Sequence, residues 1–249
     1  MHNFFVNESD KLNNCYMIAG VDYNHIINVL RMKTGDRFLV SVGGKSDLCE
    51  IESFDGSSVV ARVVEEDYQN TELPLQIYLF QGLPKSDKME WIIQKCVELG
   101  VFAVVPTEMK RCIVKLDDKK KKSKIARWQA ISESAAKQSK RNYIPEVCDV
   151  LSYKQALQKA KELDLLLVPY ENEDGMKATM QALEKLKSCK SVGILIGPEG
   201  GFEENEIELA KQAGGQVISL GKRILRTETA AIASVGMCMM QAELQAEEN

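Results

Sequence analysis

The sequence predicts an α+β protein of two domains, a small β-rich one over residues 1–72 and a larger α/β one over residues 73–249. Three observations carry this reading. Short β-rich runs alternate with turn signals over the first seventy residues, the chain turns polar and acidic from Glu65 to Leu73 and meets Pro74, and from Leu75 apolar runs alternate with helical patterns.

In the first domain, Phe4 to Val6, Arg37 to Val42 after Thr34-Gly35-Asp36, Leu48 to Ser53, and Ser58 to Val64 after Asp55-Gly56 read as strands of a small antiparallel barrel or sandwich. His25 to Leu30 is the one helix-like interruption. In the second domain, Leu75 to Phe80, Val101 to Pro106, Leu165 to Val168, Val192 to Ile196 and Gln216 to Leu220 read as strands. Helical patterns occupy Ser86 to Leu99, Lys124 to Gln138, Ser152 to Lys161, Met176 to Lys187, Glu203 to Ala213 and Glu228 to Leu244. Such alternation predicts a mostly parallel sheet covered by helices, with ligands at the carboxyl ends of the strands. The last helix is apolar on nearly every face from Ala230 to Met240. It must therefore be buried, in its own domain or against a second subunit, and a dimer is expected.

The 249 residues hold 32 Lys+Arg and 36 Asp+Glu, and 45% are hydrophobic, which suffices for a packed core and excludes a disordered chain. Ala230 to Met240, broken by Ser234 and Gly236, falls short of the roughly 20 apolar residues of a bilayer span. The first residues lack the pattern of a secretory signal, so a cytoplasmic protein is expected. Seven scattered cysteines, with no Cys-x2-4-Cys pair, read as reduced thiols, and with only His2 and His25 in the chain no metal site is expected. The chemistry must rest on carboxylates, arginines, backbone groups or a bound cofactor.

Charge is uneven. Between Lys110 and Arg141 twelve Lys/Arg face three acids, a local balance of +9 inside a chain of net charge −4. Such a stretch suits a phosphate backbone, although the run Lys119 to Lys122 alone reads equally well as a solvated surface.

Val192 to Ile196 runs into Gly197-Pro198-Glu199-Gly200-Gly201-Phe202, an apolar strand entering a glycine-rich turn before a helix. Three glycines around Pro198 suit close approach of the main chain to a nucleoside. Their spacing is not Gly-x-Gly-x-x-Gly, and Gly215 to Lys222 fails as a phosphate loop because Gln216 takes the first glycine position and Arg223 that of the Ser/Thr. A second loop, Leu220-Gly221-Lys222-Arg223-Ile224-Leu225-Arg226, follows the next strand and opens a helix capped by Thr227 or Thr229.

These blocks, with His25 to Arg31, Lys85 to Gly100 and Glu133-Ser134-Ala135-Ala136-Lys137-Gln138-Ser139-Lys140-Arg141, resemble the ribosomal RNA small subunit methyltransferase E family. The resemblance covers essentially the whole chain and departs at Asn3, where relatives often carry an arginine. It implies a PUA-like β-barrel joined to a SPOUT-type trefoil-knot domain, homodimeric and cytoplasmic. It also implies methylation of N3 of a uridine in small-subunit (16S) ribosomal RNA by S-adenosylmethionine, with S-adenosylhomocysteine as product and no metal. The cofactor is expected against Ile196, Gly197, Pro198, Glu199, Gly200, Gly201, Leu220, Gly221, Ile224, Leu225, Arg226 and Thr229. Arg226 is the expected catalytic residue, with Glu228 as base or orienter. Arg31, Lys85, Arg111, Lys137, Gln138 and Arg141 are the expected RNA track, with Tyr143 as a stacking side chain. Two other readings stand beside this one: a knotted methyltransferase acting on another nucleotide or a ribose hydroxyl, and an RNA-binding module without catalysis.

Overall fold

The computed structural model describes residues 1–171 and 175–248. The chain forms two compact units. Residues 1–72 with 136–144 make the first, and residues 73–135 with 145–249 the second.

The first unit is a six-stranded sheet of β1 (Asn3–Phe5), β2 (Lys11–Leu12), β3 (Cys15–Ala19), β4 (Arg37–Val42), β5 (Lys45–Phe54) and β6 (Ser58–Glu65), in the order β1-β4-β5-β6-β3-β2. All pairs are antiparallel except β1 with β4, which are parallel. The connection from β1 to β4 is long enough for a crossover, which a parallel pair needs. The strand path ends at β1 and β2, so the sheet is a half-barrel and does not close as a ring of paired strands. Register shifts between Leu48 and Cys49 and between Ile51 and Ser53 bend β5 against β6. Alternate residues point inward, and Phe4, Tyr16, Ile18, Phe38, Val40, Ile51 and Val59 build the core. Phe4 meets Phe38 edge to face at 5.3 Å. Ile26, fully buried, closes one side of this core from a π-helical turn, His25–Val29, that continues the short helix α1 (Gly20–Asn24).

The second unit is a parallel sheet. Its strands are β7 (Gln76–Gly82), β8 (Ala103–Glu108), β9 (Glu146–Val147), β10 (Leu151–Ser152), β11 (Leu165–Pro169), β12 (Ser191–Ile196) and β13 (Gln216–Ile218). The order is β10-β8-β7-β12-β11-β13, with β9 also on β8, and every pair is parallel. The central strands read as unbroken apolar runs because both faces are covered, and Ile77, Leu79, Phe80, Val192, Ile194 and Leu195 are buried. The helices are α2 (Lys88–Glu98), α3 (Asp118–Ser139), α4 (Tyr153–Ala160), α5 (Lys177–Leu186), α6 (Glu204–Gln212) and α7 (Thr227–Glu248).

Helix α3 begins earlier than its apolar pattern suggests. The lysine run forms its first turns, because Asp117 Oδ1 accepts the Lys120 N–H at 2.8 Å and acidic residues favour a helix start. Helix α7 turns Ala231, Ser234, Val235, Cys238 and Ala242 into the core, while Met240 and Leu244 stay half exposed. The two tryptophans differ, Trp128 being buried and Trp91 half exposed.

Candidate active site

Strands β7, β12, β11 and β13 end on the same edge of the sheet, and the loops leaving them make the site. At the end of β7, Gln81 is a polar side chain with no exposed surface among apolar neighbours. Its Nε2 donates to Thr227 Oγ1 at 2.9 Å, and the Thr227 hydroxyl donates to the Gly197 carbonyl at 2.7 Å. One buried chain of hydrogen bonds thus joins strand β7, the start of α7 and the glycine turn.

The glycine turn is held from several sides. The Gly201 N–H donates to the Pro198 carbonyl at 2.9 Å, and Arg111 Nη1 donates to the Gly200 carbonyl at 2.9 Å. Gly201 has φ +68°, in the region glycine favours, and a Cβ there would stand 2.9 Å from Glu171 Oε1. A Cβ at Gly82 would lie 2.7 Å from the Pro198 nitrogen, so the end of β7 and the turn approach backbone to backbone. The carbonyls of Gly197, Pro198 and Gly200 are all engaged within the protein, so this turn shapes the cavity more than it offers acceptors to a ligand. Glu199 reaches sideways instead: its Oε1 accepts the Lys85 N–H at 2.9 Å and lies 3.1 Å from Lys88 Nζ. Partial burial raises the Glu199 pKa, but the Lys85 N–H, the residue's own N–H and the Lys88 ammonium outweigh it and hold the carboxyl below its ordinary value.

The second loop is anchored on α5. Thr179 Oγ1 donates to the Ser219 carbonyl at 2.7 Å and accepts the Ser219 N–H at 3.2 Å. The amides of Ile224 and Leu225 have no hydrogen-bond partner among the described residues. Between this loop and the end of β11 lies a pocket of about 250 Å³, lined by Pro169, Tyr170, Glu171, Met176, Ser219 to Leu225 and Ala230. A more open cleft of about 590 Å³, lined by Lys88, Ile196 to Phe202, and Ile224 to Thr227, adjoins it through Pro169, Glu171, Ile224, Leu225 and Ala230. Small-molecule sites commonly run to roughly 300–1,000 Å³.

Of the residues the sequence points to, Ile196, Gly197, Pro198, Glu199, Gly200, Gly201, Leu220, Gly221, Ile224, Leu225 and Arg226 line one cavity or both. Thr229 does not; it is exposed on α7 and lines neither, and the neighbouring Thr227 takes the buried place. Arg226 is exposed at the open cleft and has no ion-pair partner among the described residues. Glu228 pairs with Lys88 and not with Arg226: it is 7% exposed, lines neither cavity, and its Oε2 lies 3.3 Å from Lys88 Nζ.

The basic candidates divide between the units. In the second unit Lys85 is exposed and Arg111 is tied to Gly200. In the first, Arg31 and Gln138 are exposed and Lys137 pairs with Asp22 at 3.4 Å. Arg141 is 4% exposed and belongs to the interior. Its guanidinium binds both Glu72 oxygens, and Glu72 Oε1 also accepts the N–H groups of Asn142 and Tyr143. Asn3 completes this knot of bonds, donating to the Arg141 carbonyl at 2.8 Å and accepting from Ser41 Oγ. Sequence reasoning missed Gln81, Gly82, Lys88 and Glu171. A lone glutamine followed by glycine at the end of an apolar strand was the available signal for the first two; Lys88 and Glu171 carried none, since exposed charge is the ordinary state of such residues.

Among the described residues no three His, Cys, Asp or Glu side chains gather where a metal ion could be held, and no helix is long and apolar enough to cross a membrane.

Known proteins share this architecture. Residues 71–239 match the family model of the RNA methyltransferase domain, and residues 18–64 that of the RNA methyltransferase PUA domain. The chain is 42% identical over 233 residues to ribosomal RNA small subunit methyltransferase E of Bacillus subtilis (strain 168), covering 92% of this chain and 91% of that one. The chain belongs to the ribosomal RNA small subunit methyltransferase E family. Among solved members, ribosomal RNA small subunit methyltransferase E from Neisseria gonorrhoeae, bound to S-adenosyl methionine, superposes with a TM-score of 0.82 at 32% identity, covering 96% of this chain and 97% of that one. A crystal structure described only as that of a hypothetical protein reaches 0.88 at 38% identity over 97% and 99% of the two chains. The half-barrel followed by a parallel sheet is thus the family's fold, with the cavities described above lying in the part matched by the methyltransferase domain.

Proposed function

We propose that this protein transfers a methyl group from S-adenosylmethionine to N3 of a uridine in small-subunit (16S) ribosomal RNA, in the cytoplasm and as a homodimer. The observation that carries the reading is the pocket between the β11 and β13 loops, where the unpaired amides of Ile224 and Leu225 stand among apolar walls. A purine needs that combination: main-chain groups for its edge and apolar sides for its faces. Leu220, Ile224 and Leu225 supply the walls, and Glu171, facing both cavities, supplies acceptors for ribose hydroxyls.

When bound, S-adenosylmethionine supplies a methyl group on a positively charged sulfur, already active toward a nitrogen nucleophile. The chain's own residues therefore have mainly to align the base and favour its deprotonated form. Alignment alone contributes roughly 7–11 kcal/mol in favourable cases. Arg226, exposed at the open cleft and without an ion pair of its own, donates to a uracil oxygen and stabilises the negative charge that develops as N3 loses its proton to solvent. The new bond joins N3 to the methyl carbon as the sulfur–methyl bond breaks, and S-adenosylhomocysteine leaves.

The exposed Met180, Met240 and Leu244 on α5 and α7 support a second copy packing there. The basic stretch and the PUA-like unit support an RNA partner.

Calorimetric titration with S-adenosylmethionine, with ATP as control, tests the cofactor. Nucleoside mass spectrometry of treated small-subunit RNA tests the target atom. Selective saturable binding together with 3-methyluridine in the product supports the reading; binding of neither ligand by folded protein refutes it, and a methyl group on another atom corrects the target.

A further inference from the structure

Lys88 occupies the first position of α2, where the positive end of the helix dipole disfavours a cation. Something must hold it there. Its ammonium stands 3.1 Å from Glu199 in the glycine turn and 3.3 Å from Glu228 in the first turn of α7, so one cation serves two carboxylates on two other elements. Glu228 depends on it, because its Oε2 is buried and makes no hydrogen bond among the described residues. The ammonium supports that oxygen by charge across 3.3 Å. Both carboxylates flank machinery: Glu199 sits inside the turn that walls the cleft, and Glu228 follows Arg226 by two residues.

We propose that Lys88 is a positioning residue that ties the glycine turn to the start of α7 and thereby sets where Arg226 stands in the cleft. Without the ammonium the two carboxylates are left with uncompensated like charge, and the turn and the helix start lose their common tie. The Gln81, Thr227 and Gly197 chain of hydrogen bonds still holds the elements together, so the loss is one of position and not of fold. The proposal rests on the methyl-transfer reading for its kinetic consequence, but not for its structural one.

The test uses the full-length protein as Lys88→Met, Lys88→Arg, Glu228→Gln and the double variant Lys88→Met with Glu228→Gln. Amide hydrogen exchange of the cofactor-free protein reads the two segments directly. Lys88→Met is expected to speed exchange about tenfold at both 197–201 and 226–230, Lys88→Arg to stay near wild type, and the double variant to recover part of the protection. Methyl transfer under saturating cofactor is expected to fall about tenfold in Lys88→Met and to return partly in the double variant, with cofactor affinity changed by less than about threefold. Acceleration confined to α2, or a double variant no better than Lys88→Met, overturns the proposal. If Lys88→Met does not fold, Glu228→Gln decides: exchange at 226–230 should quicken as the tie between Lys88 and α7 is lost, and exchange there at the wild-type rate overturns the proposal. Absence of methyl transfer in wild type refutes the functional reading alone, since the exchange comparison still stands.

Discussion

At the scale of single residues, two side chains that look alike in the sequence do opposite work. Arg226 and Arg141 are both arginines in basic surroundings, yet one is exposed at a cleft and the other is sealed against Glu72. Arg226→Ala should therefore lower the rate of methyl transfer by about 10²–10³ with little change in cofactor affinity, as loss of a preorganised donor does elsewhere; single-turnover kinetics and calorimetry on the same variant check this. Arg141→Met should instead destabilise the protein by about 3–5 kcal/mol, because it strands a carboxylate and breaks a buried pair. Chemical denaturation measures that cost. Gly82→Ala places a carbon 2.7 Å from a backbone nitrogen that cannot swing aside. Overpacking of this kind costs about 1–3 kcal/mol and displaces the glycine turn, so weakened cofactor binding with the first unit still folded is the expected result. Asp55 shows a local effect of pH. The Ser58 hydroxyl and the Ser57 and Ser58 N–H groups hold its pKa down to about 2, below its ordinary 3.8. Its contribution to stability is complete above pH 3.8 and is lost as pH falls through about 2. Asp55→Asn should flatten the acid limb of the stability curve in that window, which acid titration followed by circular dichroism can read.

At the scale of elements, the site is a set of strand ends bound by polar threads. Thr227 carries two of them, so Thr227→Val should cost about 1–3 kcal/mol by leaving the Gly197 carbonyl without this donor and the Gln81 amide with only its bond to the Gly82 carbonyl. For a chain of this size, about 2–4 °C of melting temperature follows per kcal/mol, and calorimetric scanning would falsify the assignment if the midpoint did not move. The strands of the second unit were legible because an apolar run covered on both faces writes itself into sequence without alternation. The short strands β2, β9 and β10 were not, because two residues carry no period. Helix α3 shows why charge misleads: a lysine run reads as loop until Asp117 is seen accepting from the backbone beyond it. The pattern of α7 correctly announced burial, although one flank, at Met240 and Leu244, remains open to solvent.

At the scale of the whole molecule, charge decides what the protein can hold. A chain of net charge −4 concentrates +9 in one stretch, part of which, Lys119, Lys122 and Lys124, has no ion-pair partner among the described residues. Neutralising those three should lower the salt dependence of RNA binding by about two in the slope of log affinity against log salt, at roughly 0.7 per phosphate on single strands, and leave cofactor affinity intact. Filter binding across a salt series measures it, and an unchanged slope moves the RNA away from α3. The division of the chain into units also belongs to this scale. Residues 136–144 lie far along the sequence from the first seventy-two, yet they pack with them, held by Glu72 and Asn3. No local signal marks such a return.

The sequence by itself determined the class of the two units, the parallel sheet, the two loops at its strand ends and, through several blocks in order, the family. Those features are written in periodicity and in glycine and proline placement, which act over a few residues. Only the tertiary structure decided which charges are free: that Arg226 is, that Arg141 and Glu228 are not, that Thr227 and not Thr229 turns inward, and that Lys88 stands between two carboxylates. Whether a charged side chain serves a ligand or the fold depends on what the rest of the chain brings within about 4 Å of it, and that proximity is set by long-range packing, to which local sequence is blind.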